Sequence, residues 1–471
     1  MKTELLKKFF SFSIGGYINI IIGLWIVPIT TRILSPEQYG IFSLINTVVN
    51  ILGVICFLGI DQGFVRYFYE ENEENRGDLL LKCLYFPITS IIFFSFFLFF
   101  FNSKISIFLL GEKDNFIWKI LVISIIFIMI NRFSLLVIRM NQKGKLYSFF
   151  TTLLKILEFI FILLLYKRYG NSYKTLIISN LYSLIIITIL SILYERKIWN
   201  FKGKIKTPKT EILKYSFPFS LTIALNWLMS SSDKIVIKIF SNLTELGFYS
   251  GAFKIISLLA IVQTSFTTFW TPVMFEHNSK KPEDTIFFKN IFNYLSVIFF
   301  SLGVGIIATR DIIILFLGNK FYQSIFIMPM LVFIPIMYLL SEITVVGIYF
   351  KKKTKYLFYI SLIVSTFNFL GNIVLVPKLG ARGAAISTGL AYILFFSLKT
   401  FFSNKLINYS FNLKKIYLII FLIFIYALSL TFYDNFYYTI SIGILLEMII
   451  LLIYLPVLKE IFSKYLKDVL R

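Results

Sequence analysis

Apolar runs of about 20 residues recur along the whole chain, parted by short polar segments, and each is long enough to cross a bilayer as an α-helix. The pattern predicts fourteen spans. Six lie at about 9–30, 40–60, 80–101, 116–137, 146–166 and 173–194. Six more lie at about 212–232, 248–270, 288–308, 325–349, 356–376 and 383–402, and a last pair at about 415–432 and 436–457. Of the 471 residues 58% are hydrophobic, and the mean hydropathy is +0.81. A soluble chain of this size would expose far too much apolar surface. The expected fold class is all-α: a polytopic membrane protein of about 14 transmembrane helices.

The polar segments orient the spans. An even number puts both ends on one side. The loops on that side, with the termini, carry more than twice as many of the 47 Lys and Arg as the other loops, which places both termini in the cytoplasm. The densest basic block is "ERKIWNFKGKIKTPKTEILK", residues 195–214, between spans six and seven. It divides the chain into an N-lobe over 1–195, a basic cytoplasmic linker over 196–211, a C-lobe over 212–403, and an extra helix pair with a cytoplasmic tail over 404–471. The linker has the charge to lie on anionic lipid. The net charge of +23 is therefore read as topology, and no nucleic-acid partner is expected. Phe9 to Thr30 is too long for the core of a signal peptide and lacks a small-residue cleavage site, so it reads as a span. Cys56 and Cys83 fall at or near apolar spans and read as free core thiols. A ratio of 37 Lys to 10 Arg accompanies 55 Phe and 28 Tyr, as an AT-rich coding bias would give, so the aromatics are not counted as sugar-stacking groups. No loop is long enough to fold as a domain, and function must reside among the helices.

Two polar turns repeat. "RILSPEQYGIFS" (32–43) aligns with "KIFSNLTELGFYS" (238–250), matching Arg32 with Lys238, Ser35 with Ser241, Gly40 with Gly247 and Ser43 with Ser250. "LLLYKRYGNSYKTLIISNLY" (163–182) aligns with "IVLVPKLGARGAAISTGLAY" (373–392), and "QKGK" (142–145) with "KKTK" (352–355). Six spans per copy mean that both copies enter from one side, as two six-helix lobes related by a pseudo-two-fold along the membrane normal. Transporters built this way bind substrate near the midplane and alternate access by rocking the halves. The turn has a local cause: Ser35 caps the next helix, Pro36 suits its first position, and Gln38 completes a capping box. Asn242 and Glu245 repeat the spacing.

Three stretches carry a family resemblance: "SFSIGGYINIIIGLWIVPITTRILSPEQYGIFSL" (11–44), "LGIDQGFVRYFYE" (58–70) and "VPKLGARGAAISTGLAY" (376–392). Together they resemble the polysaccharide flippases of the MATE-like multidrug/oligosaccharidyl-lipid/polysaccharide exporter superfamily, particularly the O-antigen flippases of the Wzx type. The resemblance covers the chain in order. It implies two six-helix lobes around a cavity, and flipping of undecaprenyl-pyrophosphate-linked oligosaccharide from the cytoplasmic to the outer leaflet of a bacterial inner membrane. The expected partners are that glycan, membrane lipids and the polysaccharide polymerase machinery. Many relatives have twelve spans; the extra pair at 415–457 is shared with lipid II flippases.

An ionisable side chain at bilayer depth costs roughly 2.5–3.5 kcal/mol on insertion scales, so it needs a cavity or a partner. The candidate substrate-binding residues are Lys254, Lys155, Arg132, and the repeat-equivalent pair Arg32 and Lys238 at the outer ends of their spans. Lys254 has no acidic neighbour three or four residues away. Lys155 and Glu158 share a helix face and can pair. Arg132 is near enough to the cytoplasmic end of its span to snorkel. Asp61 and Arg66 are candidates for an interhelical salt bridge at an inner gate. Glu158, Asp233 and Glu342 are candidates for coupling to a proton or sodium gradient. Glu447 lies outside both repeats and receives no role. The excess of basic groups suits a phosphate-bearing lipid better than a cationic drug.

No catalytic or metal set stands out, and no cofactor is expected. His277, the single histidine, reads as a solvated loop residue. No G-x-x-x-x-G-K-[ST] loop occurs, so transport is not expected to use ATP through one. The other readings are a lipid II flippase, a cation-coupled small-molecule exporter of the same fold, and a membrane glycosyltransferase or O-antigen polymerase. The last class needs a sizeable outer loop with catalytic groups; the longest here, about 102–115, offers only Glu112 and Asp114 as acids.

Overall fold

Each polar turn between apolar runs has a physical stop and start, and these set the helix boundaries in the computed structural model, which describes residues 2–200, 208–282 and 284–459. Residues 201–207 of the expected linker and the tail 460–471 lie outside the described residues. Among the described residues every regular element is helical. The chain forms two compact units, Met1–Lys234 and Ile235–Arg471, divided within one helix, Lys209–Phe240.

The first unit holds α1 (Lys2–Ile33), α2 (Pro36–Phe57), α3 (Ile60–Tyr67), α4 (Arg76–Phe100), α5 (Asn102–Leu110), α6 (Phe116–Met140), α7 (Gly144–Tyr169), α8 (Tyr173–Tyr194) and the start of α9 (Lys209–Phe240). Here α7 packs on α1 and α8, and α6 on α2, α4 and α8. Ile138, Phe150 and Ile187 knit α6, α7 and α8 into one apolar cluster. The second unit holds α10 (Leu243–Ser257), α11 (Ala260–Lys280), α12 (Thr285–Ala308), α13 (Arg310–Leu315), α14 (Met328–Leu331), α15 (Phe333–Thr344), α16 (Val346–Phe350), α17 (Lys355–Leu406), α18 (Leu413–Phe432) and α19 (Phe436–Ile453). There α15 packs on α12 and α17, while α18 and α19 pack on α14 and α12.

Nine helices among the described residues are long and apolar enough to cross a membrane, or ten if one bent pair is a single span. That count covers the described residues alone, and several expected spans are not simple rods. The span expected at 248–270 breaks at Leu258–Leu259, between α10 and α11. The one at 325–349 begins in 3-10 turns and bends by 59° before α14. Conversely, α17 runs through two expected spans in 52 residues, kinked at Gly380 (φ 55°, ψ −135°).

The backbone repeats where the sequence repeats. Gly170 ends α7 at φ 57°, ψ −140°, a conformation suited to glycine, and Gly380 matches it. Gln142 and Lys352 both turn left-handed, at φ 57° and 55°. The caps repeat too. Ser35 accepts from the Gln38 amide at 3.3 Å, and Asn242 from the Glu245 amide at 2.8 Å. Each third-position side chain then reaches across its own unit. Gln38 Oε1 accepts from the Tyr173 amide at the start of α8, and Glu245 Oε2 from the Ala381 amide just past the Gly380 kink, both at 2.9 Å. One bracket is neutral and the other charged. Gln38→Ala should lower stability by about 1 kcal/mol and Glu245→Ala by about 2 kcal/mol in thermal unfolding of the purified protein, with Glu245→Gln recovering much of the second loss.

Candidate functional site

Helix periodicity builds a cavity in the first unit. Asn50, Gly53, Val54 and Phe57 recur at three- and four-residue spacing along one face of α2. Ile128 and Arg132 stand one turn apart on α6, and Ile223, Trp227 and Ser231 climb α9 in steps of four. With Gly59 and Asp61 they enclose about 430 Å³. Asp61 arrives there because the chain leaves α2 through two left-handed residues, Leu58 (φ 48°) and Gly59 (φ 66°), which turn the short α3 back against α4 and α6. Gly63 seats α3 closely on α9: a Cβ there would stand 2.5 Å from Ser216 Oγ.

Among the described residues, the charged pair lining this cavity is Arg132 Nη2 with Asp61 Oδ2, at 2.6 Å. Gln62 Nε2 donates to the same oxygen at 2.8 Å. The Asp61 side chain is 7% exposed and that of Arg132 46%, so the acid is nearly buried while much of the arginine side chain remains open. Arg132 thus meets an acid on a neighbouring helix. Of the two gate candidates, Asp61 bonds across to another helix, α6, whereas Arg66 bonds to Glu70 four residues along, on an exposed surface.

The other candidates do not gather at this cavity. Lys155 and Glu158 pair on α7 at 2.6 Å, the spacing having put them on one face. Arg32 is exposed on the last turn of α1, and Asp233 is buried in α9. Lys238 is half-buried near the end of α9, and Lys254 is exposed on the last turn of α10. Glu342, on α15, meets a lysine the sequence reading passed over: Lys399 Nζ lies 2.9 Å from Glu342 Oε1, with both side chains less than a tenth exposed. A second unmarked residue is Arg310, fully buried against the turn between α18 and α19. Its only local signal was an arginine–aspartate pair at the end of an apolar run.

His277 is not a loop residue. It lies in α11, stacks on Phe287 at 3.7 Å and has Nε2 3.0 Å from Asp284 Oδ2. A second cavity, of about 740 Å³, lies where α6 and α8 end; there Glu195 is held by Lys143 (2.6 Å) and Asn141 (3.1 Å).

The segment at 102–115 is ordered around its own polar groups. Ser106 Oγ bonds the Glu112 carbonyl and the Asp114 amide. Burial opposes the Asp114 charge, but the Phe116 amide at 2.7 Å and Lys174 at 3.2 Å outweigh it and hold the carboxyl below its usual range. An acid fixed in this way is a helix cap rather than a catalytic proton carrier. A depressed folded-state value contributes stability above the ordinary carboxylate range, and that contribution is lost as pH falls through the folded value. Asp114→Asn should therefore be less stable than the parent at neutral pH, with the gap closing as unfolding is measured towards pH 3, below the unfolded carboxylate range of about 4.

Comparison with known proteins places this architecture. An uncharacterized membrane protein of Methanocaldococcus jannaschii is 24% identical over 409 residues, covering 81% of this chain and 80% of the relative. The solved lipid II flippase MurJ, in an inward closed conformation, superposes with a TM-score of 0.69 at 21% identity, covering 98% of this chain and 99% of that one. An inward-facing multidrug resistance MATE family transporter of the MOP superfamily gives 0.61 at 14% identity, covering 83% and 94%. Both show a shared fold. The family model for polysaccharide biosynthesis proteins matches residues 5–278, more than half the chain and all of the described cavity. This multi-pass membrane protein of MATE-like fold belongs to the polysaccharide biosynthesis protein family.

Proposed function

We propose that the protein flips a polyprenyl-pyrophosphate-linked oligosaccharide across the membrane. In the specific form of this reading, undecaprenyl-pyrophosphate-linked repeat units of O-antigen, capsule or a related polysaccharide pass from the cytoplasmic to the outer leaflet of a bacterial cytoplasmic membrane. Both termini face the cytoplasm. The observation that carries the reading is the open side chain of Arg132 over the 430 Å³ cavity. A planar fork of N–H donors matches pyrophosphate oxygens, and a membrane-embedded cation that remains accessible is suited to an anionic ligand. Membership of the polysaccharide biosynthesis family supports the glycan, and the fold shared with transporters supports movement rather than bond chemistry.

Access alternates between the two faces, driven by a proton or sodium gradient, with Glu158, Asp233 and Glu342 as the acids available to couple it. Lys254, Lys155, Arg32 and Lys238 supply further positive charge along the route, and the polymerase machinery receives the product outside. The test is gene deletion followed by analysis of lipid-linked glycans in sided membrane vesicles. Full-length repeat units should accumulate on the cytoplasmic leaflet. Normal translocation with a polymerisation defect would overturn the reading in favour of a polymerase. Lys254→Ala should lower transport about tenfold, the loss of one charge-assisted hydrogen bond, without lowering membrane insertion.

A further inference from the structure

Four observations meet at α3. Its Asp61 side chain is nearly buried and bonded to an arginine that is itself open to a cavity. Its connection to α2 runs through consecutive left-handed residues, one of them the non-glycine Leu58, a conformation that L-residues with a Cβ adopt at an energetic penalty. Among the described residues no other two consecutive residues are left-handed, and the helix break in the second unit, at Leu258–Leu259, is right-handed. Finally, α3 lies against α4, where Cys83 is fully buried.

We infer that Asp61 is an internal stand-in for the ligand's phosphate: it occupies Arg132 in the empty site, and a pyrophosphate displaces it, releasing α3 to pivot at Leu58–Gly59. The proposal rests on the pyrophosphate reading of Arg132 and adds how binding is converted into movement. A carboxylate and a phosphate seek the same guanidinium edge, so the two compete rather than add. Once displaced, Asp61 is a buried charge that has lost its ion partner, and rotation of α3 towards water relieves it. The left-handed pair localises that rotation, because a relaxed alternative is available to Leu58 as soon as the ion pair no longer holds it. Ligand binding and α3 opening are then two readings of one exchange, and Asp61 sets both the affinity and the gate.

The test uses the full chain in lipid nanodiscs, with undecaprenyl pyrophosphate as one probe and inorganic pyrophosphate as the other. Two quantities are read: probe affinity, and the rate at which N-ethylmaleimide alkylates native Cys83, resolved by peptide mass spectrometry. In the parent protein either probe should speed Cys83 alkylation, the polyprenyl form at lower concentration because its tail partitions into the bilayer. Asp61→Asn should bind undecaprenyl pyrophosphate about tenfold more tightly and expose Cys83 without any probe. Arg132→Gln should also expose Cys83 without probe but lose binding. Opposite changes in affinity with the same change in exposure are the signature of exchange, and misfolding of one variant would not reproduce it in the other. If binding depends on Arg132 but Asp61→Asn leaves affinity and alkylation unchanged, the exchange is refuted while the pyrophosphate reading stands. If the parent binds neither probe, or Arg132→Gln binds as well as the parent, the pyrophosphate reading fails and the exchange with it. A response to inorganic pyrophosphate alone keeps the exchange and removes the lipid carrier.

Discussion

Arg310→Ala should lower stability by about 3–5 kcal/mol, the range for removing one partner of a buried charge network. The side chain is fully buried. Nη1 donates to the carbonyls of Leu430 at 2.6 Å and Ile325 at 3.4 Å, and Nη2 to that of Tyr433 at 3.1 Å. Leu430 lies in the last turn of α18 and Tyr433 just beyond it, where helical carbonyls have no partner of their own and the helix dipole is negative. Asp311 and Asp434 stand 3.7 and 3.6 Å from the guanidinium, and Tyr322 donates to Asp434 at 2.6 Å. One cation thus caps α18 and ties the turn into α19 to α13 and the 3-10 turns before α14. Truncation leaves buried carbonyls unpaired and two carboxylates without their counter-charge. Arg310→Lys should lose less, because an ammonium supplies the charge but not the planar fork. The readouts are thermal unfolding in detergent and limited proteolysis. The turn at Tyr433–Asn435 should become the first cleavage site in Arg310→Ala, while cleavage elsewhere first, with an unchanged unfolding temperature, would rule out the clamp.

The sequence makes the duplication and the ionisable groups visible, and hides which of those groups meet. Duplication is legible because caps and left-handed turns demand particular residues. Ser35-Pro36 with Gln38, Asn242 with Glu245, and Gly170 and Gly380 are local requirements of the backbone. The Lys155–Glu158 pair is legible for the same reason, since three residues span less than one helical turn. Partners far apart in the chain are not. Asp61 and Arg132 are separated by 71 residues, and Glu342 and Lys399 by 57; packing between helices decides whether such groups meet. Arg66 was the nearer base to Asp61 in sequence, yet Asp61 crosses to α6 instead. The breaks inside apolar runs were hidden for a different reason. Leu258–Leu259 contains neither glycine nor proline, and Leu58 takes a left-handed conformation that its residue type gives no reason to expect.

The buried pair on α15 and α17 should separate stability from coupling. Lys399 Nζ lies 2.9 Å from Glu342 Oε1 and 3.3 Å from Ser341 Oγ, with its ammonium 4.3 Å from the centre of the Phe395 ring. The Glu342 carbonyl accepts from Trp270 Nε1 at 3.1 Å, which fixes α11 to the same spot. Glu342→Gln or Lys399→Met alone leaves one charge in an apolar setting and should lower stability by about 3–5 kcal/mol. The double variant removes both charges and should return to within about 1 kcal/mol of the parent, since a buried ion pair contributes little beyond what neutral packing supplies. An ionisable pair that adds so little stability is a candidate for the coupling proposed above. Under the proposed gradient coupling, the double variant should fold and bind as the parent does yet lose the dependence of transport on the ion gradient. The measurement is flipping in vesicles with and without an imposed proton or sodium gradient, alongside unfolding of all four proteins. A stable double variant whose transport still follows the gradient would confine Glu342 and Lys399 to structure and leave the coupling to acids elsewhere in the chain.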